Sequence, residues 1–112
     1  MAKTVTTSAT TYLSATEFLA RTDWRVVSDL VSDLESTETR LTRAETLADT
    51  NLAKILLDAS GMLELACEVG GRYVPADLAA LTGAGQAVLF RVLTRLALVL
   101  CYERRVDLEM KQ

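Results

Sequence analysis

The segment "NLAKILLDASGMLELACEVGG", residues 51–71, carries the strongest structural pattern in the chain. At 100° per residue, its apolar side chains fall within about a third of a helical circumference. Two consecutive glycines then end the pattern, since a residue without Cβ can take the left-handed conformation that closes a helix. The segment therefore predicts one long central helix. Its expected core-facing residues are Leu52, Ile55, Leu56, Ala59, Leu63, Ala66, Cys67 and Gly70.

A short helix and then a long one are predicted after this central helix. Pro75 stands at the favoured first-turn position of "PADLAAL", and Gly83 and Gly85 end that pattern. The last helix is expected over about residues 86–105. Its apolar residues cover half the circumference, more than contact with one neighbour requires, so we expect a central position or a face shared with a partner. These residues are Val88, Leu89, Val92, Leu93, Leu96, Val99 and Leu100.

Shorter helices with polar caps are predicted before residue 51. Ser14 and Glu17 have capping-box spacing at the start of the first helix. The apolar spacing over residues 24–34 indicates a second helix, with a strand over "WRVV" as the alternative. The polar residues 35–40 are the best loop candidate. A second capping-box spacing, "TRAE" at 42–45, predicts a further helical turn.

Length and composition predict a single all-α domain. The 112 residues are half apolar and include one proline, which suits one hydrophobic core and is too short for two ordinary domains. Few aromatic residues and glycines favour helices. We expect a small helical bundle around one long central helix and a long C-terminal helix, formed by residues 12–105. Residues 1–11 should form a flexible N-terminal arm, and residues 106–112 should form a C-terminal tail.

Membrane contact and export are not predicted. The longest uninterrupted apolar run, Leu96 to Tyr102, has seven residues, far fewer than the roughly 20 that a membrane-spanning helix needs. The first residues include no apolar stretch of the kind found in a secretory signal. We therefore expect the protein to remain where it is made.

Enzymatic, cofactor and metal chemistry are not predicted either. The chain has no histidine, so the usual base for nucleophilic catalysis and the usual Cys/His metal sets are missing. Cys67 and Cys101 lie in apolar helical stripes without CxxC spacing, which favours buried reduced thiols over a disulfide or catalytic role. "GAGQAV" has two glycines before a helix but lacks the third glycine and the lysine of phosphate-binding loops.

A helix-turn-helix DNA-binding regulator is the alternative that the sequence leaves open. "PADLAALTGAGQAVLFRVLTRL" has a short helix, a glycine-containing turn and a second helix in the required order. However, the second helix begins with Gln86 and Arg91 among apolar residues, whereas base and phosphate contacts need several polar or basic side chains. The net charge of −3 also lacks the usual electrostatic footprint of a DNA-binding domain.

Two side-chain stripes are candidate interfaces with a partner or another subunit. On the central helix, Met62, Leu65 and Val69 form a second apolar strip outside the main one. A wide contact within the same chain would explain it equally well. On the last helix the stripe opposite the apolar half has a solvated face as its alternative, although Tyr and Arg are enriched at interfaces. Its residues, with two arginines that follow, are Arg91, Arg95, Leu98, Tyr102, Arg104 and Arg105.

With its helices placed, the chain resembles the phage and prophage head–tail connector (neck adaptor) family. The resemblance extends over about residues 12–105, including "YLSATEFLAR" and "DWRVVSDLVSD". It is densest from residue 51 onward, in "NLAKILLDASGMLELACEVGGRYVPADLAALTG", the long last helix and "YERR". The run is structural rather than catalytic. The stretch "ESTETRLTRAETLAD" matches the family least well.

The resemblance implies a virion structural protein. Members of this family assemble as a ring, of twelve copies by this analogy, below the portal protein of the capsid. The ring joins the portal to the next neck or tail completion protein and encloses the channel through which DNA passes without sequence-specific binding. The C-terminal segment "RRVDLEMKQ" is expected to reach the portal. The expected location is the neck of the virion, after synthesis in the host cytoplasm.

Overall fold

The computed structural model describes residues 11–32, 41–71 and 75–110, and all regular structure within these ranges is helical. The predicted all-α class is confirmed, and the strand alternative for "WRVV" is wrong because these residues lie in a helix. The helices are α1 (Ala15–Arg21), α2 (Trp24–Val31), α3 (Arg43–Leu47), α4 (Thr50–Gly70), α5 (Pro75–Ala79) and α6 (Gly83–Met110).

Side-chain caps start the first four helices. The Oγ atom of Ser14 accepts a hydrogen bond from the Glu17 amide at α1, and Asp23 and Asp49 cap α2 and α4. At α3 the predicted capping box is complete, because Thr42 and Glu45 each accept from the other's backbone amide. These hydrogen bonds lower the pKa of the Glu45 carboxyl. The local sequence therefore sets where each of these helices begins.

The glycine pair ends α4 as predicted. Gly71 has a φ of 70° and its amide donates to the carbonyls of Cys67 and Glu68. This is the left-handed closure that a residue without Cβ adopts at low cost. The chain then returns through α5 so that α6 packs along α4.

The core lies where α6 packs against α2 and α4, with α1 and α3 adding to it. Not all of the predicted stripe on α4 is buried: Leu63 and Cys67 are half-buried, and Ala66 and Gly70 are exposed. Tyr12, in the segment before α1, forms hydrogen bonds with Ser60 and Glu64 of α4. Beyond these two residues the stripe becomes more exposed. The buried apolar residues of the three main helices are Val27, Leu30, Val31, Leu52, Ile55, Leu56, Ala59, Leu89, Leu93, Ala97 and Cys101.

The last helix is longer at both ends than its sequence pattern predicted. It begins at Gly83 rather than at about residue 86, and it continues to Met110. Residues 106–110, which were expected to belong to the C-terminal tail, are therefore helical. No glycine or proline interrupts them, Leu108 is half-buried, and Arg105 pairs with Glu109 one turn later. Residues 1–10 of the predicted arm 1–11, the predicted loop at 35–40 and residues 111–112 lie outside the described residues.

Candidate interaction surfaces

The strip formed by Met62, Leu65 and Val69, here called the α4 strip, is open to solvent. The exposed fractions of the three side chains are 49%, 62% and 83%. Within the described structure, these three residues are therefore not covered by another helix of the same chain. An exposed apolar row of this kind is more typical of a binding surface than of scattered surface hydrophobics.

A longer exposed row runs along α6, and we call it the α6 seam. Neighbouring members are three or four residues apart, which keeps them on one side of a helix. Arg95 is the only charged member. The seam consists of Val88, Val92, Arg95, Val99, Tyr102, Val106 and Met110.

The seam lies directly opposite the core-facing side of α6. Ala97 is fully buried, and Val88 and Val106 each lie nine residues from it, which corresponds to about 180° around the helix. The sequence pattern places Val88, Val92 and Val99 on the wide apolar half of the helix, expected to be central or shared with a partner. They are exposed by 62%, 44% and 51%. The wide apolar arc of the last helix is therefore two faces, one buried in the fold and one exposed.

The predicted stripe on α6 overlaps this seam only in part. Arg91, Arg95 and Tyr102 are exposed, and Tyr102 retains 53% of its accessible surface. Leu98, by contrast, is partly buried and packs against the core cluster. Sequence reasoning missed Val106 and Met110, although the three- and four-residue spacing continues through Val106 and could have indicated it.

Arg104 and Arg105 are both candidate interface residues in the sequence, but the structure gives them different contacts. The Nη1 atom of Arg104 donates a 3.1 Å hydrogen bond to the carbonyl oxygen of Leu30, at the end of α2. Arg105 contacts Glu109 on its own helix, with 3.3 Å between Nε and Oε1. Arg104 is therefore part of the tertiary structure, and only Arg105 belongs to the outer surface near the seam.

A shallow apolar recess of about 420 Å³ opens on the C-terminal half of the seam. Val99, Tyr102, Glu103 and Val106 surround it, with Asp107 at its edge. These four side chains have the i, i+3, i+4 and i+7 spacing of the hole that accepts a knob side chain in helix–helix packing. The recess is an open hollow on the surface of one helix.

The ionisable groups with strongly shifted pKa values lie inside the fold. Burial, a hydrogen bond to Glu64 and the charge of Glu64 raise the pKa of Tyr12 above its ordinary range. Burial raises the pKa of the Cys101 thiol to about 11, partly offset by Arg104. Both cysteines are free, and residues 11–32, 41–71 and 75–110 contain no group of His, Cys, Asp or Glu that could hold a metal. Burial thus favours the neutral forms of Tyr12 and Cys101, and we assign neither residue a catalytic role.

By length and composition alone, α6 could cross a membrane. A window of 18 residues within it has a mean hydropathy of 1.6, and 28% of that window is buried in the fold. The longest uninterrupted apolar run did not indicate this, because Arg91 and Arg95 interrupt the run. The mean hydropathy of the whole window nevertheless stays high. Leu89, Leu93 and Ala97 of α6 are buried against protein, whereas most of the window is exposed.

Comparison of the chain with protein-family models, with curated proteins and with solved structures gave no match.

Proposed function

We propose that this protein is a head–tail connector adaptor, a virion structural protein that assembles as a ring below the portal. The ring would join the portal to the next neck or tail completion protein and surround the exiting DNA. The sequence resemblance over about residues 12–105, densest from residue 51 onward, suggests this function. The structural observation that carries it is the pair of exposed apolar surfaces on two different helices, the α4 strip and the α6 seam.

Two different surfaces on one chain suit a closed ring. In a head-to-tail assembly each subunit offers one patch to the preceding copy and another to the next. The α4 strip and the α6 seam are separate rows of this kind. On this proposal the mechanism is binding and closure, with no bond chemistry, and the long exposed end of α6 supplies the contact with the portal.

The start of α6 also favours an adaptor over the helix-turn-helix regulator. The side chains exposed over its first two turns include Ala84, Gln86, Ala87 and Val88. Only one of these can donate to a base edge or a phosphate, whereas a recognition helix presents several such groups at this position. The acidic net charge further weakens attraction to the phosphate backbone.

Assembly with the portal tests this proposal. We expect the purified chain to cap portal rings of its own phage in electron micrographs and to co-sediment with them. It should show no salt-dependent binding to duplex DNA, since a regulator would lose affinity steeply as salt rises. Binding to DNA without binding to the portal would contradict the proposal.

A substitution in the α4 strip tests whether the strip is a contact between subunits. Leu65→Asp places a charge in the strip, and we expect it to abolish ring formation while the helical content stays unchanged. Ala53→Asp, at an exposed position on the same helix, is the matched control and should still form rings. Rings from the Leu65→Asp variant would exclude the α4 strip as a subunit contact.

A further inference from the structure

The exposed side of α4 carries a pattern that matches itself when the helix is reversed end to end. Its members are Gly61 at the centre, Leu57 and Leu65 four residues to either side, and Lys54 and Glu68 seven residues to either side. These steps keep all of them within about 40° of one line along the helix. Each is exposed, and the buried side of α4 faces the other way. We call this surface the Gly61 face, and it shares Leu65 with the α4 strip.

The fold of the single chain makes no use of the glycine at the centre of this face. Gly61 lies inside a helix of 21 residues, where glycine is less favourable than alanine. Its φ is not positive, and a Cβ added to it would meet nothing within 4 Å. Neither a turn nor a close contact within the chain therefore requires it. A helix face without a side chain at its centre does allow a second helix to approach closely.

We propose that a second copy of this chain docks on the Gly61 face, giving a two-fold dimer in which the two α4 helices run antiparallel and meet at Gly61. Reversal about Gly61 places Lys54 of each copy level with Glu68 of the other. Two identical ion pairs then border the contact, which is the self-complementarity that a two-fold interface requires. A parallel pair in register would instead set Lys54 against Lys54 and Glu68 against Glu68, which opposes association.

The two leucines of the Gly61 face pack in the same register. Leu57 of one copy falls among residues 61, 64, 65 and 68 of the second copy, and Leu65 falls among residues 54, 57, 58 and 61. Both sets have the i, i+3, i+4 and i+7 spacing of the hole that accepts a knob side chain in helix–helix packing. One register therefore brings together the apolar side chains and the opposite charges.

Like charges are kept apart in this register. Asp58 falls level with Glu64 of the second copy, but the two residues lie about 60° to opposite sides of the line through Gly61. Glu64 is only 8% exposed and accepts a hydrogen bond from Tyr12 of its own chain. The two Asp58 residues share one side of the contact and lie about 9 Å apart along the helix axis. That separation is about the screening length at physiological salt, and each Asp58 lies one turn from Lys54 of its own helix.

The dimer does not rest on the proposed function, because it follows from the Gly61 face alone. Leu65 belongs both to this face and to the α4 strip, so a docked second copy and a ring neighbour would compete for it. In a connector, the dimer would be the form of the free protein, and it would separate when the portal is bound. The two proposals fail separately, since capping of the portal tests the ring and the mass of the chain alone tests the dimer.

Sedimentation equilibrium of the purified chain tests the dimer. We expect the wild-type protein to be dimeric and Gly61→Leu to raise the dissociation constant at least roughly tenfold, because two new side chains at the axis separate the helices. The variant should keep its helical content in circular dichroism, since the site is open in the single chain and leucine favours helix. Ala66→Leu is the matched control, because Ala66 is an exposed residue of α4 about 140° around the helix from Gly61.

The control should remain dimeric. A monomeric wild-type protein, or a dimer that Gly61→Leu leaves unchanged, would overturn the proposal. An equal loss of dimer in Ala66→Leu would also overturn it, because the contact would then not be centred on Gly61.

Charge reversal tests the direction of packing. Lys54→Glu and Glu68→Lys should each raise the dissociation constant roughly twofold to thirtyfold, and the double variant should return it to within about threefold of wild type. A parallel dimer would keep like charges together in all four proteins. Equal dissociation constants across the four would therefore overturn the antiparallel register.

Discussion

At the scale of single residues, the C-terminal end of α2 is capped by side chains from two other helices. The last carbonyls of a helix have no partner within it. Arg104 of α6 donates to the Leu30 carbonyl, and Asn51 of α4 donates to the Val31 carbonyl, both at 3.1 Å. Neither partner could be read from sequence, because 74 residues separate Arg104 from Leu30. Arg104, a candidate interface residue in the sequence, therefore joins α6 to α2 within the fold.

Arg104→Ala should destabilise the protein clearly more than Arg105→Ala. Loss of Arg104 leaves a part-buried carbonyl without its charged donor, which costs about 1–3 kcal/mol. Loss of Arg105 removes an exposed i, i+4 ion pair, which is worth about 0.3–0.5 kcal/mol. Urea unfolding followed by circular dichroism measures both. Equal free energies of unfolding for the two variants would mean that the Leu30 contact contributes nothing.

At the scale of elements, the break between α4 and α5 depends on one backbone conformation. Gly71 has a positive φ, whereas its neighbour Gly70 is the last helical residue, and a Cβ added to Gly70 would meet nothing within 4 Å. The two glycines look equivalent in the sequence, but only the second has a backbone conformation that a side chain would strain.

Gly71→Ala and Gly70→Ala should therefore have opposite effects. A Cβ in the left-handed conformation costs about 1–2 kcal/mol, so we expect Gly71→Ala to lower the free energy of unfolding by this amount. Gly70→Ala should raise it by about 0.4–1 kcal/mol, since alanine restricts the unfolded chain and favours the helix. Thermal and urea unfolding give the signs. A stabilised Gly71→Ala variant would contradict the left-handed closure.

At the scale of the whole molecule, half-buried Tyr12 and fully buried Cys101 are two groups whose neutral forms the fold favours. The Tyr12 hydroxyl donates to Glu64 of α4 and the Tyr12 amide donates to the Ser60 hydroxyl, which holds the segment before α1 against α4. Cys101 is fully buried near the other end of the core. Because burial raises the pKa of both Tyr12 and Cys101, the folded state holds protons that the unfolded chain releases at lower pH.

Alkaline pH should therefore unfold this protein in a way that depends on Cys101. The thiol has a pKa of about 11 in the fold against 9.0 without it, so its contribution is complete below pH 9 and is lost as the pH rises towards 11. One proton of difference lowers stability by about 1.4 kcal/mol per pH unit. Cys101→Ala should flatten this slope in urea unfolding between pH 9 and 11. An unchanged slope in Cys101→Ala would assign the loss to other groups.

The local sequence determined where most helices begin and where α4 ends. The caps at Ser14, Thr42 and Asp49 satisfy amides within one turn, and Gly71 closes α4. These features could be predicted because each involves residues close together in the chain. The helical class followed in the same way from apolar spacing in residues 52–63.

Only the tertiary structure decided which apolar faces are covered. Apolar spacing gives the side of a helix on which residues lie, but burial depends on which other helices reach that side. Val88, Val92 and Val99 resemble core residues in the sequence, yet α2 and α4 pack on the opposite face of α6 and leave them exposed. The candidate interfaces arise from that arrangement, since an apolar side chain becomes a binding surface only where the rest of the fold does not cover it.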